Sequence, residues 1–256
     1  MLLKRVIPVL LLQNDGLVKT KQFSHPQYIG DPINAVKIFN EKEVDELVVL
    51  DIDATRKNRK PNFNLIREIA SECFMPLAYG GGITTMDDVN TLIKSGVEKV
   101  ILNTSIYKNP NFIKEVSDSI GASSTVVCID YTLDGNGNAT IFSNNGSKKQ
   151  EHKLEEWIPR AEQLGAGEIL LQHIDGDGMY SGYDLETAKK VSAMCHLPII
   201  ICGGASQIGD FKKAFELNIN GAAAGSLFVY YTKKRGILIN YPDQEELKIL
   251  NTHESK

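Results

Sequence analysis

The sequence has few cysteines, and none is placed for a disulfide framework or a metal site. Cys73, Cys128, Cys195 and Cys202 form no Cys-X-X-Cys pair, and the five histidines are equally scattered. Clusters of such residues at ligand spacing are what a structural zinc site requires. We therefore expect no metal and no cofactor, and the low cysteine usage fits a reducing, cytoplasmic location.

An excess of positive charge and long apolar runs are also absent. The 28 Lys and Arg residues against 32 Asp and Glu give a formal charge of −4, which argues against the basic surface that nucleic-acid binding needs. The apolar stretch at the start of the chain stops at Gln13, too early for a membrane span, and we interpret it as a strand. The sequence therefore predicts neither a nucleic-acid nor a membrane partner.

What the 256 residues do contain is an alternation of short apolar runs with longer amphipathic segments. The predicted strands are Arg5–Leu12, Glu46–Ile52, Leu77–Tyr79, Val97–Leu102, Thr125–Tyr131, Glu168–His173, Pro198–Cys202 and Ala222–Gly225. Continuous apolar strands separated by helices indicate a parallel sheet covered on both faces. Eight units predict an α/β protein with a single (βα)8 TIM barrel over residues 1–256 and a frayed end at residues 251–256. An open doubly wound sheet is the alternative, but no dinucleotide fingerprint follows the first strand.

An internal repeat supports the barrel. The segments that begin at Glu46 and Pro76 resemble the segments that begin 122 residues later, at Glu168 and Pro198. A period this long indicates a duplicated half-domain rather than a solenoid. Two halves of four βα units make one eightfold barrel.

Glycine-rich and hydroxyl-bearing ends follow four of the predicted strands. Because glycine lets backbone N–H groups approach a phosphate, and barrels place active sites at these strand ends, two phosphate sites on one mouth are predicted. The candidate phosphate-binding residues are Gly81, Gly82, Asn103, Thr104, Gly203, Gly204, Gly225 and Ser226, with Asp177 and Gly178 after strand six.

These residues, with the motifs LDIDA, GGGI, LNTS, IDGDG, SGYD and AGSLF, resemble the cyclase subunit of imidazole glycerol phosphate synthase, called HisF. The resemblance runs from Met1 to about Phe228. It implies a two-phosphate ribulosyl aminoimidazole ligand and ammonia supplied by a separate HisH-like glutaminase in a heterodimer.

The resemblance carries over unevenly at the mouth. The family uses two aspartates for acid/base chemistry, at the ends of strands one and five, and Asp130 matches the second. Leu11 stands at the first position, and leucine can neither accept nor donate a proton. Losing one member of an acid/base pair costs about 10²-fold or more in rate. A substitute base at His173 is the less favoured alternative.

At the opposite end of the barrel the resemblance is complete. Arg5, Glu46, Lys99 and Glu168 begin four strands, so their charges can converge, and they match the family's salt-bridged ammonia gate. Glu98 matches an acidic contact to the glutaminase.

A retained gate below a changed mouth resembles a divergent, WbuZ-like branch of HisF homologues. That branch implies ammonia supply to an ATP-dependent enzyme that forms an acetamidino sugar for surface polysaccharide. Two alternatives stay open: a true cyclase of histidine biosynthesis that relies on Asp130, and a non-catalytic scaffold that activates the glutaminase.

Overall fold

The computed structural model describes residues 4–231 and 236–251, and a closed barrel of eight parallel strands forms its centre. The barrel strands are β1 (Arg5–Gln13), β2 (Leu47–Asp51), β3 (Leu77–Gly80), β4 (Lys99–Leu102), β5 (Thr125–Leu133), β6 (Glu168–His173), β7 (Ile199–Cys202) and β8 (Gly221–Ala224). Each pairs in parallel with the next, and β8 pairs with β1 to close the ring. The predicted TIM barrel is therefore confirmed.

Helices cover the outside of the barrel. They are α1 (Pro32–Glu41), α2 (Phe63–Ser71), α3 (Met86–Lys94), α4 (Thr104–Lys108), α5 (Asn111–Ile120), α6 (Leu154–Gln163), α7 (Leu185–Ser192), α8 (Ile208–Glu216), α9 (Ser226–Val229) and α10 (Gln244–Asn251). Their apolar faces are buried with the outward side chains of the strands in one large core, and inward side chains form a second. Because side chains alternate along a strand, one strand supplies both cores.

The duplication is visible in the element bounds. Adding 122 to the residue numbers of β3, β4 and α3 gives the bounds of β7, β8 and α8. Asp88 and Asp210, also 122 residues apart, each accept backbone N–H groups just before the first turn of their helix. The two halves therefore share their local hydrogen bonding as well as their order of elements.

Two antiparallel hairpins extend the barrel at the mouth. The first pairs Gly16–Lys21 with β1 and with Ser24–Gly30, and it was not predicted from the sequence. Most of Ser24–Gly30 is exposed, so the strand has no alternating apolar pattern to detect. In the second, β5 runs two residues past its predicted end and pairs with Ala139–Ser143, while Lys148–Lys149 adds a short third strand.

The last described residues return to the barrel. A ribbon of Tyr230–Tyr231 and Gly236–Ile237 precedes α10, and the Tyr241 hydroxyl donates to the Val6 carbonyl at 2.8 Å. Of the segment predicted to fray, residue 251 ends α10 and residues 252–256 lie outside the described residues. No helix among the described residues is long and apolar enough to cross a membrane.

Candidate functional site

A cavity of about 550 Å³ opens at the carboxyl ends of the strands, and we call it the mouth cavity. Its lining combines apolar inward side chains from the barrel with polar residues from the loops that follow β2, β3, β4 and β6. Carboxyl strand ends are where barrel enzymes place their chemistry. The cavity is therefore the candidate reaction site.

Three carboxylates line the mouth cavity among the described residues, and Asp130 differs from the other two. Asp51 pairs with Arg59 at 3.0 Å and accepts two backbone N–H groups. Asp177 accepts from the Thr20 hydroxyl and from a backbone N–H of the first hairpin. Asp130 forms no ion pair within the part of the chain that the structure describes, and the thiol of Cys128 donates to its Oδ1 at 3.4 Å.

Burial sets the protonation of Asp130. It raises the pKa of the carboxyl to about 7, against the lowering effect of hydrogen bonds from Cys128 and Asn103. A carboxyl that titrates near neutral pH can exchange protons in either direction, as general acid/base chemistry requires. Leu11 also lines the cavity, so the strand-one position contributes an apolar surface instead of a second carboxylate.

The predicted phosphate-binding residues of the first half come together. Gly81, Gly82, Asn103 and Thr104 all line the mouth cavity. Gly81 has a φ of +119°, and a Cβ there would overlap the carbonyl oxygen of Asp51. Glycine is therefore required for this close backbone approach.

The second half is arranged differently. Asp177 and Gly225 line the mouth cavity, whereas Gly178, Gly203, Gly204 and Ser226 are not part of its lining. The loop after β6 packs over Gly204 and Ser226. The Gly182 N–H donates to the Gly204 carbonyl at 2.8 Å, and the Tyr180 hydroxyl donates to the Ser226 carbonyl at 3.3 Å. A phosphate site at these four residues stays a prediction.

His173 points away from the mouth cavity. Its ring stacks on Tyr131 with centroids 5.0 Å apart, and its Nε2 lies 3.7 Å from Asp175. The preceding residue, Gln172, is the one that lines the cavity. The geometry therefore gives His173 a packing position and does not bring it to Asp130.

Basic residues that the sequence did not mark as site residues also line the mouth cavity. Lys19 is almost fully buried and lines the mouth cavity, because the first hairpin folds inward over β1. Arg59 and Lys60, in the basic segment after β2, also line the cavity and pair with Asp51 and Asp88. The sequence carries no local signal for the burial of Lys19, because its hairpin strand was not predicted.

The four strand-start charges meet at the opposite end of the barrel, and we call them the ion-pair ring. Arg5 pairs with both Glu46 and Glu168, and Lys99 reaches each of the same carboxylates at 2.9 Å. The Glu46 and Glu168 side chains are only 3% and 6% exposed. The ring is thus a closed alternation of two cations and two buried anions.

Apolar side chains and two cysteines form a cluster inside the barrel, to which the first hairpin adds Val18, and five members of the cluster also line the mouth cavity. The cluster consists of Ile7, Val9, Leu11, Val18, Val48, Ala78, Ile101, Val126, Cys128, Leu170, Ile200, Cys202 and Ala223. Outside the ring, Glu98 is exposed next to Lys99.

The chain is similar to known proteins over nearly its whole length. A family model described as a histidine biosynthesis protein matches residues 5–234. A Pseudomonas aeruginosa protein named "Putative imidazole glycerol phosphate synthase subunit hisF2" is 46% identical over 97% of this chain and 100% of its own length. A Leptospira borgpetersenii protein named "Putative imidazole glycerol phosphate synthase subunit HisF" is 47% identical, covering 98% and 99%. The Petrotoga mobilis "Imidazole glycerol phosphate synthase subunit HisF" is 38% identical, covering 91% and 94%.

Proposed function

Because the chain belongs to the histidine biosynthesis protein family and is a HisF-like barrel, we propose that it receives ammonia from a HisH-like glutaminase and conducts it to the mouth cavity. The observation that carries this proposal is the ion-pair ring. Four charges that would each be solvated alone form a closed ring of ion pairs at the amino-terminal end of the barrel, which supports a gating role.

The barrel interior supports passage of a small neutral molecule. Ammonia is uncharged, whereas ammonium would lose its hydration among apolar side chains at a cost of several kcal/mol or more. The inward-facing cluster from Ile7 to Ala223 consists of apolar side chains and two cysteines. A ring that opens transiently above such an interior would admit ammonia and exclude ammonium.

The docking face for the glutaminase is then the amino-terminal end of the barrel. Glu98 is exposed there, beside the gate residue Lys99. An exposed charge near an interface chiefly affects the association rate and its salt dependence. We expect Glu98 to make a partner contact of that kind.

The mouth cavity supports an acceptor other than the family's usual substrate. With Leu11 lining the cavity, Asp130 is the one carboxylate not engaged by a cation or by backbone N–H groups among the described lining residues. The ammonia acceptor that we propose is an acetamido sugar, amidated by a separate ATP-dependent enzyme for surface polysaccharide. The relatives named hisF2 and HisF with the qualifier "Putative" are 46–47% identical, against 38% for the Petrotoga mobilis protein, which supports a separate branch.

The second candidate function is the cyclase of histidine biosynthesis. Asp130, with a pKa of about 7, and the four first-half residues that line the cavity favour it. The test is an assay of the isolated barrel with the two-phosphate ribulosyl aminoimidazole substrate and ammonium at alkaline pH, which bypasses gate and partner. We expect no turnover by the folded protein.

Turnover that is lost in Asp130→Asn would instead establish the cyclase. If there is no turnover, the glutaminase assay separates the remaining functions. The conducting subunit should transfer glutamine nitrogen to a product, and Lys99→Ala should weaken that coupling. A scaffold would raise glutaminase activity while all the ammonia escaped to solution.

A further inference from the structure

Lys19 is a buried amine that makes no direct ion pair with a carboxylate among the described residues. Its side chain is 4% exposed, and among the described residues its Nζ donates one hydrogen bond, to the Val9 carbonyl, and forms no ion pair. It lies against Gly225, where a Cβ would overlap the Nζ atom. The fold therefore makes space for this amine inside the mouth cavity without a carboxylate in direct contact with it.

Such an amine is favoured in its neutral form. A buried ammonium without a carboxylate partner is costly, so the group tends to release its proton. Burial lowers the pKa of Lys19 to about 8, and the charge of Asp177 offsets only part of this effect. Asp177 itself is held by Thr20 and by the Phe23 N–H.

A neutral lysine amine is a nucleophile toward carbonyl carbon. The same cavity holds Asp130, which titrates near neutral pH and is placed to exchange protons with a bound reactant. It also holds the Gly81–Gly82 turn and the cations of Arg59 and Lys60, which suit a phosphate.

We propose that Lys19 binds aldehydes or ketones that carry a phosphate, through a covalent imine. The amine nitrogen attacks the carbonyl carbon, and one of its two protons moves to the oxygen to give a carbinolamine. Asp130 then protonates the hydroxyl group, which leaves as water, and takes back the second nitrogen proton, so that a C=N bond remains and Asp130 is restored. No oxidant or reductant is needed, and hydrolysis restores both reactants.

One consequence rests on the proposed function. Once protonated, the imine is a better electrophile than the parent ketone, so ammonia that arrives through the barrel would attack the same carbon. The Lys19 amine would leave, and the ammonia nitrogen would stay on the substrate.

The experiment is reductive trapping on the full chain, without glutaminase or ammonia. The protein is incubated with D-glyceraldehyde 3-phosphate and sodium cyanoborohydride from pH 6 to pH 10, and labelled lysines are located by peptide mass spectrometry. Lys114, exposed on α5, is the internal reference. Near pH 8 we expect Lys19 to be labelled roughly ten-fold faster than Lys114, because an ordinary lysine is almost entirely protonated there.

Further arms identify the site. D-glyceraldehyde without its phosphate should label Lys19 more weakly, and inorganic phosphate should compete with the phosphorylated probe. Lys19→Met and Lys19→Arg should both lose this label while circular dichroism shows a folded chain. Lys114→Met should leave the Lys19 label unchanged.

The proposal would be overturned if, at every pH tested, Lys19 were labelled no faster than Lys114. This comparison needs only the wild-type protein. Equal labelling by both probes would overturn the phosphate requirement. Neither result bears on ammonia conduction, because neither the glutaminase nor the ion-pair ring takes part.

Discussion

Replacing Lys99 by methionine tests whether the ion-pair ring behaves as a buried network. Lys99 Nζ makes three hydrogen bonds, to both carboxylate oxygens of Glu46 and to one of Glu168, at 2.9–3.1 Å. Methionine keeps most of the side-chain volume but leaves two buried carboxylates facing the single guanidinium of Arg5. Removing one partner of a buried ion pair costs about 3–5 kcal/mol. Because Lys99 is itself 18% exposed, we expect the lower end, ~3 kcal/mol.

The assay is urea unfolding, with Lys114→Met as the matched control. Lys114 pairs with Asp118 at the same 2.9 Å, but both side chains are more than 60% exposed, so this change should cost no more than about 0.5 kcal/mol. A double variant, Lys99→Met with Glu46→Gln, should lose less than the sum of its single variants, because the remaining charges balance. If Lys99→Met costs no more than Lys114→Met, the ring is solvated and the reasoning fails.

Three further predictions concern the mouth cavity. Burial raises the folded-state pKa of Asp130 to about 7, so the folded protein keeps this proton while the unfolded chain releases it from about pH 4 upward. The free energy of unfolding therefore falls as pH rises from about 4 to about 7. Asp130→Asn should therefore gain up to ~4 kcal/mol relative to wild type between about pH 4 and about pH 8 in urea unfolding, and a pH-independent difference would contradict this. Leu11→Asp should raise the pKa of Asp130 above 7, since two carboxylates then share one cavity; carbon-13 NMR titration measures this, and an unchanged pKa would show that the two groups do not interact. Gly81→Ala should cost more stability than Gly121→Ala, by about 1–3 kcal/mol, because both have positive φ but only at Gly81 would a Cβ overlap a backbone oxygen; equal losses would refute the steric argument.

The barrel could be predicted from the sequence because its signals are local and repeated. Each strand from Arg5 to Ala224 is an apolar run, and the constant spacing of 122 residues fixes eight units instead of six or ten. The ion-pair ring followed from the same logic, since charges that begin parallel strands must lie at one end. These features depend on strand position alone.

The mouth depends on how loops pack on each other, which local patterns do not encode. Nothing in Gly16–Gly30 indicates that its hairpin turns inward and buries Lys19. The two glycine pairs look equivalent in sequence, yet the loop after β6 packs over Gly204 and leaves Gly81 and Gly82 at the cavity. His173 ends β6 and so lies at the level of the mouth, but side chains alternate along a strand, and its ring faces outward against Tyr131.

In the function that we propose, ammonia passes inside the barrel from the ion-pair ring to the mouth cavity. The most direct measurement uses the chain assembled with its glutaminase and amidating enzyme, supplied with amide-nitrogen-15 glutamine in excess unlabelled ammonium. Product that retains nitrogen-15 in the wild type, and loses most of it in Lys99→Met, is the predicted result. Nitrogen in the product that matches the unlabelled pool in the wild type would contradict conduction through the barrel.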